Sequence, residues 1–292
     1  MTSTYVGKMN TIKPIDSHVH FWKFDDHLDY PAWFNDRPDL KQDYLPYHLG
    51  PELSAISAEG AVIVGTAHST HSHNLEWGNM CEKNRIVMAL IGNYRLDSAH
   101  LCELLDSYAN KPWFVGIRSQ SKITTGNSND SSNSDRGAQE LIKRKLVLDL
   151  IVDYTSIPSI TIFSRRHENL PIVVNHCGCP PLYKSNFHLW ERNIRELSRA
   201  PNVSVKYSSF LFHFHPTYDP IQLQRTAEVL FETFGSKRLL WGSNWPPVLV
   251  GGTYRQTFNT LVNSTPTLSF DERSDLLRHN SIRIYNFPID SL

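Results

Sequence analysis

At 292 residues the chain is longer than most single domains, yet an α/β barrel fills that length as one unit. Hydrophobic residues at 40% suffice for a large core, and Lys+Arg equal Asp+Glu at 29 each, so no chain-wide field draws in nucleic acid or an anionic membrane. No apolar run reaches the roughly 18 residues that cross a bilayer, and the N-terminal "MTSTYVGKMNTIKP" lacks the apolar centre of a signal peptide. The expectation is a soluble, cytoplasmic protein acting on a small neutral or weakly charged molecule, its oligomeric state unspecified.

The first apolar run, Ile12–His18, opens a strand that continues into "PIDSHVHFW". Side chains alternate faces along a strand, so Asp16, His18 and His20 are expected on one side, the two imidazoles about 7 Å apart along the chain. At a strand end, that spacing suits the first two ligands of a zinc-binding hydrolase, although an isolated pair of this kind is more often two structural histidines that have found hydrogen bonds. Trp22 follows directly. The segment His27–Gly50, rich in Asp, Pro and aromatics including Trp33, reads as a long first loop able to fold over a barrel mouth.

Further strands are predicted at Ala61–Ala67, Ile86–Ile91, Phe114–Arg118, Leu146–Val152, Ile172–His176, Val203–Lys206 and Arg238–Gly242. Helical segments fall between them, among them Leu101–Ala109, Gln139–Lys145, Ile157–His167, Leu189–Arg199 and Pro220–Phe234. The strand runs are nearly continuously apolar, as strands covered on both faces of a parallel sheet must be. Eight alternating units predict an α/β fold, a (β/α)8 barrel in one domain. A doubly wound open sheet is the alternative, and no Gly-x-Gly-x-x-Gly turn follows the first strand to support it. Residues 1–11 read as a flexible tail. The stretch 120–138, containing "TGNSNDSSNSD", reads as a mobile polar loop. Four cysteines do not make a disulfide framework in a chain this long, and Cys177 and Cys179 are expected as buried free thiols.

In such a barrel the chemistry collects at the C-terminal ends of the strands. There the sequence places Arg118 on the fourth, His176 on the sixth, Lys206 and Tyr207 on the seventh, and Ser243, Asn244 and Trp245 beyond the eighth. The planar fork of Arg118 suits a carboxylate or a carbonyl oxygen. Lys206 and Tyr207 are candidates to bind hydroxyls or a carboxylate, and Trp22, Trp33 and Trp245 to stack on a sugar or lactone ring. His18, His20 and His176 are candidate ligands of one divalent ion such as zinc, whose bound water ionises near pH 7; without a metal, one histidine would accept the proton of water.

Taken in order, "IDSHVHFW", "YPAWFNDRPDLKQDYLPYHL", "FVGIRS", "VVNHCGCP", "PNVSVKYSS", "FGSKRLLWGSNWPP" and "NSIRIYNF" resemble the amidohydrolase-2 branch of the amidohydrolase superfamily over most of residues 12–287. Within it the chain is most similar to sugar-lactone lactonases of the L-fuconolactonase and L-rhamnonolactonase types, related to 2-pyrone-4,6-dicarboxylate lactonase. The resemblance implies a distorted (β/α)8 barrel that hydrolyses a cyclic ester, with a small lactone or sugar acid as its ligand. It carries site roles onto His18, His20, His176 and Arg118. Two positions depart from the pattern: Asn175 and Asn244 stand where the family has Asp, and the eighth-strand Asp is its metal-facing carboxylate and proton acceptor. A ligand-binding homologue with weakened catalysis, and a decarboxylase of the same branch, are the alternatives.

Overall fold

The computed structural model describes residues 12–25, 33–119, 123, 129–181, 186–213, 215 and 219–288. The tail 1–11 and most of 120–128 lie outside the described residues, as does the Trp33 side chain. Eight strands follow the sequence expectation: β1 (Ile15–Val19), β2 (Gly60–Val64), β3 (Val87–Asn93), β4 (Phe114–Ser119), β5 (Val147–Leu150), β6 (Ile172–Val174), β7 (Val203–Ser208) and β8 (Leu239–Gly242). They form one parallel sheet in the order β1 to β8. A helix follows each strand: α1 (Pro46–Ala55), α2 (His71–Lys83), α3 (Leu101–Asp106), α4 (Asn129–Arg144), α5 (Ile157–Arg166), α6 (Phe187–Leu197), α7 (Pro220–Phe234) and α8 (Tyr254–Ser264). The fold is a (β/α)8 barrel.

The strand runs are continuously apolar because both faces are covered. Outward residues such as Ile63, Leu148, Val205 and Trp241 pack under the helices. Inward residues such as Val62, Val147, Val173 and Leu240 form a second cluster, sealed by Tyr285 and Phe287 from the C-terminal helical turns. The barrel closes at its mouth, where Asn244 N donates to His18 O at 2.9 Å and His20 N to Trp245 O at 2.8 Å. A methyl group on Gly242 would stand 2.7 Å from Cβ of His18, so only glycine lets β8 approach β1.

Two readings shift. Helix α4 begins at Asn129, inside the stretch expected as a polar loop. Its polar residues have partners: Asp135 meets Arg166 at 3.0 Å and His167 at 2.7 Å, while Ala138 and Leu141 are buried. The long first loop folds back through short helical turns at Trp33–Asp36 and Pro38–Leu40. It is pinned where Trp22 and Tyr44 exchange backbone hydrogen bonds and where Arg37 donates to the carbonyls of Leu249 and Val250 beyond β8. Among the described residues no helix is long and apolar enough to cross a membrane.

Candidate active site

At the end of β1, His18 and His20 turn toward each other, their Nε2 atoms 3.2 Å apart. Nδ1 of His20 lies 2.6 Å from the carbonyl of Val64, at the end of β2, and must carry the proton because a carbonyl only accepts. Nδ1 of His18 faces the ammonium of Lys206 at 3.3 Å. Lys206, on β7, is fully buried and donates to Asp149 on β5 at 2.5 Å; Tyr285 donates to the other oxygen of that carboxylate at 3.0 Å. His176 follows β6 with its ring 4.7 Å from that of His18 and its Nδ1 2.9 Å from the hydroxyl of Ser208.

Arg118 leaves β4 and donates from Nη1 to the carbonyl of Gly65 at 2.6 Å, while its buried Nε has no partner. Asn244, past β8, donates from Nδ2 to the hydroxyl of Ser209 at 2.8 Å. Three residues just past the ends of their strands adopt the left-handed backbone: His176 (φ 54°), Ser209 (φ 69°) and Asn244 (φ 61°). A non-glycine residue there costs on the order of 1 to 3 kcal/mol, and such strain gathers at functional sites. Together these strand ends surround a cavity of about 320 Å³, roughly the size class of a small-molecule site. Phe21, Trp22, Phe34, Trp77 and Phe212 supply its aromatic lining, and His20, Arg118, His176, Ser209 and Asn244 part of its polar lining.

The electrostatics follow from burial. His20 is pushed down to about 3, chiefly by desolvation and then by Arg118. Desolvation first, followed by Lys206 for His18 and Arg118 for His176, holds those two imidazoles well below their ordinary value. All three are neutral. Burial also pushes Arg118 down to about 10, with Asp149 opposing.

A separation of 3.2 Å between two imidazole nitrogens is close to that of two ligands on one ion with bonds of about 2.0–2.1 Å. The remaining donors do not fit a divalent ion. Among the described residues no carboxylate reaches the imidazoles: Asp149 is held by Lys206 and Tyr285, Asp16 accepts from the backbone N–H of His18 at 3.0 Å, from Ser243 N at 2.9 Å and from Tyr254 at 3.0 Å, and Asn244 is a carboxamide. The neighbouring charges are an ammonium and a guanidinium, both repelling a cation. Among the described residues no group of three His, Cys, Asp or Glu stands ready to hold a metal.

The family model described as Amidohydrolase matches residues 15–287. The chain belongs to the amidohydrolase family. Two curated relatives are named L-fucono-1,5-lactonase: that of Burkholderia ambifaria is 26% identical over 82% of each chain. That of Burkholderia multivorans is 27% identical, covering 94% of this chain and 96% of the relative. A crystal structure of an amidohydrolase from Burkholderia multivorans with bound zinc matches with a TM-score of 0.85 at 25% identity, over 94% of this chain and 100% of that one.

In this amidohydrolase His20, Trp22, Arg118, His176 and Asn244 line one cavity, while His18 lies fully buried behind it. Other expected residues sit elsewhere. Tyr207 points outward, its hydroxyl 2.7 Å from that of Ser264 on α8 and its ring against Phe210, because neighbours in a strand face opposite sides and Lys206 takes the inside. Trp245 is buried against Phe21 and Tyr44 and supports the mouth from behind. Lys206 is inside but captured by Asp149 and does not line the cavity. Asp16 does not join the histidines: the β1–β2 register shifts between Asp16 and Val19, and its carboxylate clamps β8 and α8. Cys177 and Cys179 are unpaired thiols. Sequence reading missed Asp149, Ser208 and Ser209. Asp149 had left a signal, a lone charge in the apolar run "LVLDLIV".

Proposed function

We propose that this amidohydrolase opens a small neutral lactone of the sugar-acid class by attack of water on the ring carbonyl. The observation that carries the reading is the Arg118 guanidinium at a cavity that has neutral imidazoles and, among the described lining residues, no acidic one. Such a cavity favours a group that gains negative charge on oxygen during reaction. The aromatic lining suits the apolar face of a sugar ring. The curated relatives named as lactonases support the same class.

His176 is the base. Its Nδ1 is engaged by Ser208, which leaves Nε2 to take a proton from water while the water oxygen bonds to the carbonyl carbon. The carbonyl electron pair moves onto its oxygen, where Arg118 stabilises it. Collapse of the tetrahedral state breaks the ring C–O bond, and the departing oxygen receives the proton from His176. The product is an open hydroxy acid that loses its remaining carboxyl proton to solvent, and the resulting carboxylate pairs with Arg118.

Burial and Arg118 make His176 a weak base, and Asn244 takes no proton near neutral pH. Turnover is therefore slow and ligand binding is retained, the behaviour of a catalytically weakened homologue. Acid release from L-fucono-1,5-lactone and related sugar lactones in a pH-stat tests the reading. Asn244→Asp should raise kcat at least about tenfold, or 1.4 kcal/mol of barrier. Carbon dioxide release from aromatic acids without lactone opening would assign a decarboxylase instead. Brisk natural turnover that Asn244→Asp slows would show that no carboxylate is wanted.

A further inference from the structure

We propose that Lys206 is a positioning residue that fixes the tautomer of His18 and thereby closes this mouth to a divalent metal ion. An ammonium has only donors, so the His18 Nδ1 at 3.3 Å from Lys206 Nζ can only accept. A neutral imidazole carries one N–H, which is then on Nε2. That nitrogen is the one turned toward His20 at 3.2 Å. It is a donor and has no lone pair for a metal.

Nδ1 of His20 is the opposite case. It donates to the Val64 carbonyl at 2.6 Å, the kind of partner that frees the other nitrogen of a ligand histidine. His20 is therefore built as a ligand could be, and His18 is not. The lone pair of His20 Nε2 receives the His18 proton, so a directed series of donors runs from Lys206 through His18 and His20 to Val64.

Burial pulls the Lys206 ammonium below its ordinary value, and the carboxylate below it works the other way, to hold the proton on the lysine. Asp149 takes its ammonium at 2.5 Å, and Tyr285 donates to the second carboxylate oxygen at 3.0 Å. The ammonium also stands 5.3 Å from the centre of the Tyr285 ring, within reach of a cation–π contact. All three side chains are buried, so the pair has no solvent to exchange with. On the lactonase reading, the same arrangement commits His18 and His20 to each other and leaves His176 as the imidazole free to serve as base.

The test is zinc binding together with the tautomer, neither of which requires turnover. Metal-stripped protein is titrated with zinc chloride by calorimetry, beside Lys206→Met/Asp149→Asn, a double variant that avoids an unpaired buried carboxylate. The double variant is expected to bind zinc at least about tenfold more tightly, the scale on which partners of ligand histidines act. Nitrogen-15 NMR of histidine-labelled wild-type protein should show His18 protonated on Nε2 and His20 on Nδ1. Zinc binding by the wild type as tight as by the double variant, or a His18 protonated on Nδ1, overturns the inference. If the double variant does not fold, the wild-type spectrum alone decides. A failed lactone assay alongside these results would count against the proposed function and leave this inference standing.

Discussion

Toward the ends of β5 to β8 the interior of the barrel changes character. In the lower layer the inward positions hold Ile15, Val62, Val115, Val147, Val173 and Leu240, sealed by Tyr285 and Phe287. In the upper layer, on β5 to β8 or just past them, stand Asp149, Asn175, Lys206 and Gly242. The backbone lattice is the same in both. Below, each side chain gains from many interchangeable dispersion contacts; above, Lys206 and Asp149 depend on each other. Stability and chemistry are thus divided along the barrel axis, and the two layers should respond to different perturbations.

Acid should separate them most. His18, His20 and His176 stay neutral when folded and take up protons only in the unfolded chain, below its ordinary value of 6.5. Asp16 works the other way: burial raises it to about 6, so between there and 3.8 the folded state holds one extra proton. For these four groups the difference, three less one, leaves about two more protons on the unfolded chain between pH 6 and 4, and His213, also held down by burial, adds to it. Stability should fall there by about 3 kcal/mol per pH unit. Urea melts at pH 4.5, 5.5 and 6.5 measure this slope, and His20→Gln should lessen it by about 1.4 kcal/mol per unit. An unaltered slope would mean that folded His20 titrates normally.

In the lower layer, Leu240→Ala should cost about 2 to 5 kcal/mol in a urea melt, because a closed core relaxes little around a cavity. Its kcat/KM at 25 °C should hold; a matching loss of activity would show that the layers are coupled. Arg118→Lys is the converse, lowering turnover about a hundredfold, or 2.7 kcal/mol, while the melt is little changed. Unchanged kinetics would assign Arg118 to structure. The smallest effect is expected at Asn175, fully buried with neither side-chain amide atom bonded. Asn175→Leu should raise stability by about 1 kcal/mol, since it removes an unpaired polar group. A loss would mean that the amide has a partner of its own.

The lower layer was the more legible part of the sequence. Apolar runs such as "AVIVG" reflect burial on both faces, a constraint that acts on every residue of a strand and needs no knowledge of its neighbours. His18, His20, Arg118 and His176 were legible because a polar residue at a strand end is out of place in such a run. Partnership was not legible. Nothing local in "VSVKYSSF" says that Lys206 meets Asp149, 57 positions away, though strict alternation would have sent Tyr207 to the outside. Ser209 has the same difficulty: its role depends on Asn244, 35 residues on.

The junction of β1 and β8 bears on how the protein is made. Asp16 and Ser243 are 227 positions apart, so β1 leaves the ribosome on the order of ten seconds or more before its partner, at common rates of 5–20 residues per second. During that interval its free edge offers unpaired N–H and C=O groups to any other nascent chain. A charge on a waiting edge strand discourages such pairing, and β1 carries one in Asp16. When β8 arrives, the same carboxylate accepts the Ser243 N–H and the Tyr254 hydroxyl. The residue that guards the strand during synthesis becomes the clasp that ends the exposure.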